Sequence, residues 1–458
     1  MASAKLTRTF TAGNRKTYTI SLWLKRSGIG SSPNYQAVFI ASGGDDGIFF
    51  KNDGTLDCFF HSVEKRTNRQ FRDTSGWYHI MVAVDTTQAS ASNRLKIYVN
   101  GEQETSFAYN SGDPAQDSQN LFNNSGGTNV IGNHSSSSYN FDGQMAHVHY
   151  VDGTAYTPTT FGETDSTTGI WKPKTAPSVT YGTNGFFLKF DNSANMGLDS
   201  AGSNNLTTTG TIIQTKDTPS NVFATLNPLD NFFGTTTLSN INNTQNQSSS
   251  SGNYSFIPST LGFSSGKWYW EMKCVSNSSN SDMWYGTGIT SNSSGGDNHY
   301  LGSFTNDYGV YGYAYATGKA ATYTGGSRTD QGTSFATGDI IGVAVDCDNL
   351  AMYVHKNGVY MPDASNVTGV PTSGASRTGA LFDITAPSST KRGFYFPALC
   401  YYDVRAIVQS INFGNGYFGT TAVSSAQSPD DGNGIFEYDV PAGYRALCTK
   451  SINAEEYS

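Results

Sequence analysis

Residues 282–315 read DMWYGTGITSNSSGGDNHYLGSFTNDYGVYGYAY, with rings set among Asn, Asp and Ser. That mixture suits recognition of a sugar, whose C–H faces pack on rings while its hydroxyls pair with short polar side chains. Trp284, Tyr285, Asp297, Asn298, His299, Tyr308 and Tyr311 are therefore the candidate ligand-binding residues. Tyr311, Tyr313 and Tyr315 alternate along the chain and share one strand face, a pattern more often used to pack a core than to display a platform. Trp284 and Tyr308, flanked by polar loops, are the better candidates for exposure.

Other chemistries find less support. Hydrolysis of a glycan needs two carboxyls about 5–10 Å apart. The nearest text is FEYDV, where Glu437 and Asp439 alternate without a third acid, and solvated surface is the favoured reading. Neither a G-x-S-x-G elbow nor an H-E-x-x-H helix is present, so no catalytic residue is assigned. His147 and His149 share one face of QMAHVHYVDG, and a solvated or hydrogen-bonded sheet face outweighs a metal site. Asp191, Asp199 and Asn204, with Asn192 and Ser200, offer oxygens that a hard cation such as calcium accepts. The same residue types build turns, and turn outweighs metal here. No cofactor is assigned, and calcium stays a weak candidate.

The elements that must position these residues are strands. Two distant stretches, VAVDTTQASASNRLKIYVNG (82–101) and VAVDCDNLAMYVHKNG (343–358), follow one plan. Each gives an alternating run, a polar break, a second alternating run and then Asn-Gly. Alternation puts one face of a strand into a core, and Asn-Gly tolerates the positive φ of a two-residue turn. Aromatics make up 13% of the chain against 14% charged residues, and β-branched residues recur in short runs without a convincing amphipathic helix. The composition is all-β.

A chain of 458 residues fits two domains. Short strands with regular turn signals predict two antiparallel β-sandwich, jelly-roll-like domains in tandem, at 1–216 and 232–458, with 217–231 as a linker. A net charge of −8 without a basic stripe argues against nucleic acid as a partner. No apolar run reaches membrane-spanning length, and the first ten residues lack the apolar stretch of a signal peptide. Five scattered cysteines read as reduced and buried, which suits assembly inside a cell.

Residues 6–27, 75–103 and 161–174 resemble the laminin-G/concanavalin-A-like domain of tailed-phage structural proteins. FFLKFDNSANMGLDSAGSNNLTTTG (186–210) resembles a segment that often opens such sandwiches, placed last here as a permuted closing strand. GKWYWEMK (266–273), residues 338–358, INFGNG (411–416) and PAGYRALCTK (441–450) resemble a SPRY, B30.2-type domain. The resemblance implies a non-enzymatic virion protein, assembled in the host cytoplasm and contacting other virion proteins as a homo-oligomer. The leading expectation is a tail fibre or adsorption protein that binds host-surface glycan. The alternative is a capsid-decorating or head-fibre protein with mainly protein–protein contacts, and a glycan depolymerase ranks last.

Overall fold

A computed structural model describes residues 4–29, 35–41, 46–134, 139–231, 236–248, 252–278, 284–293, 299–312, 318–402 and 406–457. Asp297, Asn298, Tyr313 and Tyr315 lie outside the described residues. The chain divides into two compact units, Met1–Gln214 and Thr215–Ser458.

Among the described residues, the first unit pairs an eight-stranded with a six-stranded antiparallel sheet. The larger runs Phe107–Asn110, Val63–Gln70, Thr55–Phe60, Gly47–Lys51, Tyr35–Ile40, Thr128–Ile131, Lys5–Thr9, Thr207–Thr209. The smaller runs Phe186–Leu188, Gly143–Asp152, Thr17–Arg26, Tyr78–Asp85, Leu95–Val99, Glu102–Gln103. Alternation fills the space between them: Ile20, Leu22, Ile80, Val82, Ile97 and Val99 meet Val38, Ile48, Phe50, Leu56 and Phe60 in one core. The closing segment supplies an edge strand to each sheet, since Tyr150 pairs with Phe186 and Leu6 with Thr208. Val63–Gln70 is a strand that the sequence pattern hid, because VEKRTNRQ carries few apolar residues to mark its alternation.

The repeated text folds the same way twice. Asn100 and Gly101 both take positive φ, 50° and 86°, and Asn357 and Gly358 take 50° and 84°. Each asparagine side chain also accepts a backbone N–H from the start of the preceding hairpin partner: His79 to Asn100 Oδ1 and Ile340 to Asn357 Oδ1, both 2.8 Å. The aspartate that ends each VAVD run organises the polar break. Asp85 accepts from Thr87 N at 3.1 Å, and Asp346 accepts from Asp348 N at 3.1 Å and Asn349 N at 2.9 Å.

A Cβ on Gly101 would sit 2.9 Å from the Trp171 ring, and one on Gly358 would sit 2.8 Å from Tyr438. Gly101→Val and Gly358→Val are each expected to destabilise their own unit by about 1–3 kcal/mol, since a β-branched residue resists positive φ. Thermal melts of the two variants check this, and tolerance of valine at both sites would contradict it.

The second unit sets a nine-stranded sheet against a six-stranded one among the described residues. Its core holds Trp268, Trp270, Met272 and Cys274 on one parity of the strand Lys267–Asn277, with Ile341, Val343 and Val345 beside them. One expectation needs correction here. Residues 217–231 are not a linker: Phe223 and Leu226 are buried, Ala224 N donates to Leu447 O and Leu226 N to Asn242 O. The prolines and absent alternation of that stretch reflect a segment held by isolated bridges rather than a free connection. A short helix, Thr449–Glu456, follows the last strand. The described cysteines are all buried and unbridged.

Candidate functional site: an aromatic sheet face

The six-stranded sheet of the second unit runs Tyr254–Pro258, Phe396–Tyr402, Tyr285–Thr290, Tyr308–Tyr311, Ala320–Thr324, Ser327–Gln331. Alternation sends Tyr285, Ile289, Tyr308, Val310, Leu399 and Tyr401 into the main core. The opposite parity carries Phe256, Ala398, Cys400, Tyr311 and Ala321 to the other face, where Trp284 and Tyr323 pack on them. The segment from Tyr300 to Phe304 lies across part of that face. A Cβ on Gly309 would be 2.4 Å from Leu301 O, so glycine is what lets this segment approach.

The sequence candidates therefore separate. Tyr308 is 5% exposed and belongs to the core, its ring against Phe382 and Tyr395. Its hydroxyl accepts from Thr385 N at 2.9 Å and lies 3.2 Å from Thr385 Oγ1. Tyr285 is fully buried as well, edge-on to Phe335. Neither can touch a ligand, because each shares the inward parity of its strand. Tyr311 is buried on the outer face, donating to Leu301 O at 3.2 Å. His299 is half-buried against Phe304, with centroids 4.4 Å apart. Of the two candidates expected to be exposed, Trp284 has that character, a partly exposed ring, and Tyr308 does not.

Around Trp284 the structure assembles rings that are not all near it in sequence. Tyr254 and Tyr402 are register partners and stack at 4.3 Å. Trp284 stands edge-on to both, at 5.7 and 6.3 Å. Tyr300 lies edge-on to Tyr254 at 5.6 Å and to Tyr323 at 5.0 Å. All five rings are partly exposed. Tyr254, Tyr323 and Tyr402 escaped the sequence reading; the signal was available only as an aromatic at the end of each alternating run. Among the described residues, the side chains clustered on this face are uncharged. Asp307 is buried behind it, accepting from Thr290 Oγ1 at 2.7 Å and Asn292 Nδ2 at 2.9 Å, and burial lifts its carboxyl to about 6 against those bonds. Such a surface can pack a ligand's apolar faces against ring planes and edges. Among the described residues it holds no nucleophile with an adjacent base.

The remaining candidates have other work. Asp199 Oδ1 accepts backbone N–H groups of Phe187 and Ala201, and Oδ2 that of Asn204, all at 2.9 Å. Asn204 donates to Gly185 O and accepts from Arg8, while Asp191 pairs with Lys189. Asp199 and Asn204 are thus brought together as a turn, with Asp191 elsewhere. Among the described residues, no group of three or more His, Cys, Asp or Glu converges as a metal site would require. Glu437 accepts from Ser424 N and Oγ. Burial pushes its carboxyl up, but those bonds, Ser425 N–H and Lys273 together hold it below the usual range. Asp439 is exposed.

Of the two readings offered for His147 and His149, a solvated or a hydrogen-bonded face, the structure gives His149 the hydrogen-bonded one. A bulge between Ala146 and His149 shifts the register, and His147 takes a φ of 47°. His149 is 1% exposed, with Nδ1 2.8 Å from Tyr181 Oη and its ring stacked on Phe187 at 4.0 Å.

Residues 2–160 match the family model described as the concanavalin A-like lectin/glucanases superfamily, and residues 267–393 match the SPRY domain. No curated protein matches the chain. Among solved structures, it is similar to the SPRY domain of human HERC1, at 15% identity over 37% of this chain and 87% of that one, with a TM-score of 0.26. It is also similar to the native heptameric SAP-like pentraxin from Limulus polyphemus, at 15% identity over 41% and 88%, TM-score 0.28. A third, from Bacteroides ovatus ATCC 8483 and described as carbohydrate binding, shares 17% identity over 46% of this chain and 58% of that one, TM-score 0.32.

Proposed function

We propose that this protein, which carries an N-terminal concanavalin-A-like domain and a C-terminal SPRY domain, works by binding a glycan on the aromatic outer face of its second unit. The observation that carries this is the group of five partly exposed rings, Tyr254, Trp284, Tyr300, Tyr323 and Tyr402, on a sheet face with no paired catalytic groups among the described residues. Ring planes pack sugar C–H faces, and a central ring in such a contact is commonly worth about 2 kcal/mol or more. A place on a tailed-phage particle, as an adsorption protein meeting the host surface, is supported by the resemblance of residues 6–27, 75–103 and 161–174.

The test is binding of the purified protein to immobilised bacterial surface polysaccharides. Trp284→Ala with Tyr402→Ala is expected to weaken a positive signal at least tenfold, while Tyr308→Phe, altered in the core, leaves it unchanged. A melting curve must accompany each variant, since Trp284 also packs on the outer cluster. A folded double variant that bound as well as the parent would overturn the aromatic-face reading. It would favour the capsid-decorating alternative, whose contacts are with other virion proteins.

A further inference from the structure

The six-stranded sheet of the second unit ends on Ser327–Gln331, and among the described residues no further strand pairs with that edge. The opposite edge is closed differently. Tyr254–Pro258 ends on a proline, Asn227 N donates to Pro258 O, and Leu226 bridges Ser259. Ser327–Gln331 has neither proline nor bulge, and its register with Ala320–Thr324 is unbroken. Ser327 and Thr329 are exposed. A regular edge without such guards is a template for another strand.

The hairpin decides which backbone groups turn outward. Gly325 and Gly326 take φ of 55° and 79°, a two-residue turn closed by Thr324 and Ser327. Hydrogen-bonded pairs recur at every second position of such a ladder, so Thr322 with Thr329 and Ala320 with Gln331 exchange bonds within the hairpin. Thr322 Oγ1 adds a bond to Thr329 O at 2.9 Å. The N–H and C=O groups of Arg328 and Asp330 therefore point towards the edge. Their side chains share the outer face with their register partners Tyr323 and Ala321, and Arg328 Nε donates to Asp330 Oδ1 at 2.8 Å. Read about Thr329, the strand Ser-Arg-Thr-Asp-Gln is charge-complementary to its own reverse.

We propose that this edge pairs with the same edge of a second copy of the chain, antiparallel and centred on Thr329. Arg328 of each copy then stands opposite Asp330 of the other, which joins the outward backbone groups and sets the two intrastrand ion pairs into one network about the twofold axis. Charge selects this register. Centred on Arg328 or on Asp330, the ladder would set like charges directly opposite, which is unfavourable. A five-residue ladder buries little area, so the dimer is weak and concentration-dependent. The inference stands apart from the glycan reading. Where both hold, the two aromatic faces lie on the same side of one continuous sheet, and a repetitive polymer meets two sites at once.

A register-specific disulfide tests this in the full chain. Pairing centred on Thr329 makes it a non-hydrogen-bonded pair with its copy, Cα atoms about 4.5 Å apart, which a disulfide can span. The two Ser327 positions would be about 14 Å apart, beyond reach. Under mild oxidation Thr329→Cys is expected to yield a covalent dimer and Ser327→Cys to stay monomeric, against a low background because the native cysteines are buried. Arg328→Glu, which faces Asp330 of the other copy with a like charge, should weaken the dimer about tenfold in sedimentation velocity. Arg328→Asp combined with Asp330→Arg should restore it, and melting curves confirm that each variant is folded. Equal trapping by the two cysteine variants, a folded charge swap that fails to restore the dimer, or a parent chain monomeric up to its solubility limit would each overturn the proposal.

Discussion

Glu271→Ala should destabilise the second unit by about 3–5 kcal/mol, the cost of removing a buried charged acceptor from several donors. Glu271 is fully buried. Its carboxylate accepts Glu437 N and Tyr438 N at 2.9 Å, Tyr269 Oη at 3.0 Å and Asn412 Nδ2 at 3.4 Å. These bonds hold the segment around Phe436 and Tyr444 over the outer face of the nine-stranded sheet, where it covers Tyr269 and Tyr353. Alanine would leave buried N–H and O–H groups without an acceptor. Glutamine would keep one oxygen but aim an NH₂ at donors, and should cost less than alanine, about 1–3 kcal/mol.

Burial lifts the Glu271 carboxyl to about 7 against its hydrogen bonds. A raised acid is protonated in the folded state first, so this group adds stability as pH falls from 7 towards the unfolded value near 4.5. His355, joined to Tyr269 Oη at 2.6 Å and lowered to about 4 by burial, contributes with the opposite sign over nearly the same window. Those two nearly cancel, and Asp307, raised to about 6 by burial, adds stability in the same direction as Glu271, so the second unit should gain about 1–2 kcal/mol between pH 7 and 5. Urea unfolding of the parent and Glu271→Ala at both pH values checks this. A variant as stable as the parent would remove the clamp assigned to Glu271.

The first unit should behave differently and lose stability in acid. His79 and His149 are buried, and burial, with neighbouring histidines, lowers His79 to about 3 and His149 well below its ordinary value. A depressed histidine stays neutral in the folded state while the unfolded chain protonates below about 6.5, so its stabilisation is lost as pH falls through that value. By pH 5 each of the two costs about 2 kcal/mol. The geometry shows why neither can accept a proton cheaply. Trp171 Nε1 donates to His79 Nδ1 at 3.0 Å, which leaves Nε2–H for Ser21 Oγ at 2.8 Å. A second ring proton would face the tryptophan donor and release the hairpin Gly162–Thr164/Trp171–Pro173.

His61 and His147, each lowered to about 4 chiefly by burial, add to the loss. Asp57, raised to about 7 by burial and by Glu64 against Lys51 and Arg66, returns about 2–3 kcal/mol over the same interval. The net expectation is a first unit weaker by about 5 kcal/mol at pH 5 than at pH 7.5. His149→Gln, which can still bond Tyr181, should remove one proton's worth of that slope. Stability of the first unit that held level or rose towards pH 5 would contradict the burial of these histidines.

Local physics made much of the fold readable. Alternation in YHIMVAVD and IIGVAVD, the aspartate ending each run and the Asn-Gly that follows are determined within a few residues, and the structure repeats them in both units. The same logic placed Trp268, Trp270, Met272 and Cys274 in one core. What alternation could not settle is which face meets water, because it separates two faces without saying what covers each. Tyr269, Glu271 and Lys273 share the parity opposite those core residues, and alternation says nothing of their cover, yet residues 166 and 167 positions away close over Glu271. His79 and His149 were polar positions on an outward face until residues around Phe161, Trp171 and Tyr181 packed on it. Trp284 and Tyr308 look equally exposed in sequence, and strand parity sends one outward and the other into the core. Strand existence and turn type were local, and so legible. The aromatic face and the buried carboxylates arise from contacts between distant segments, which only the tertiary structure brings together.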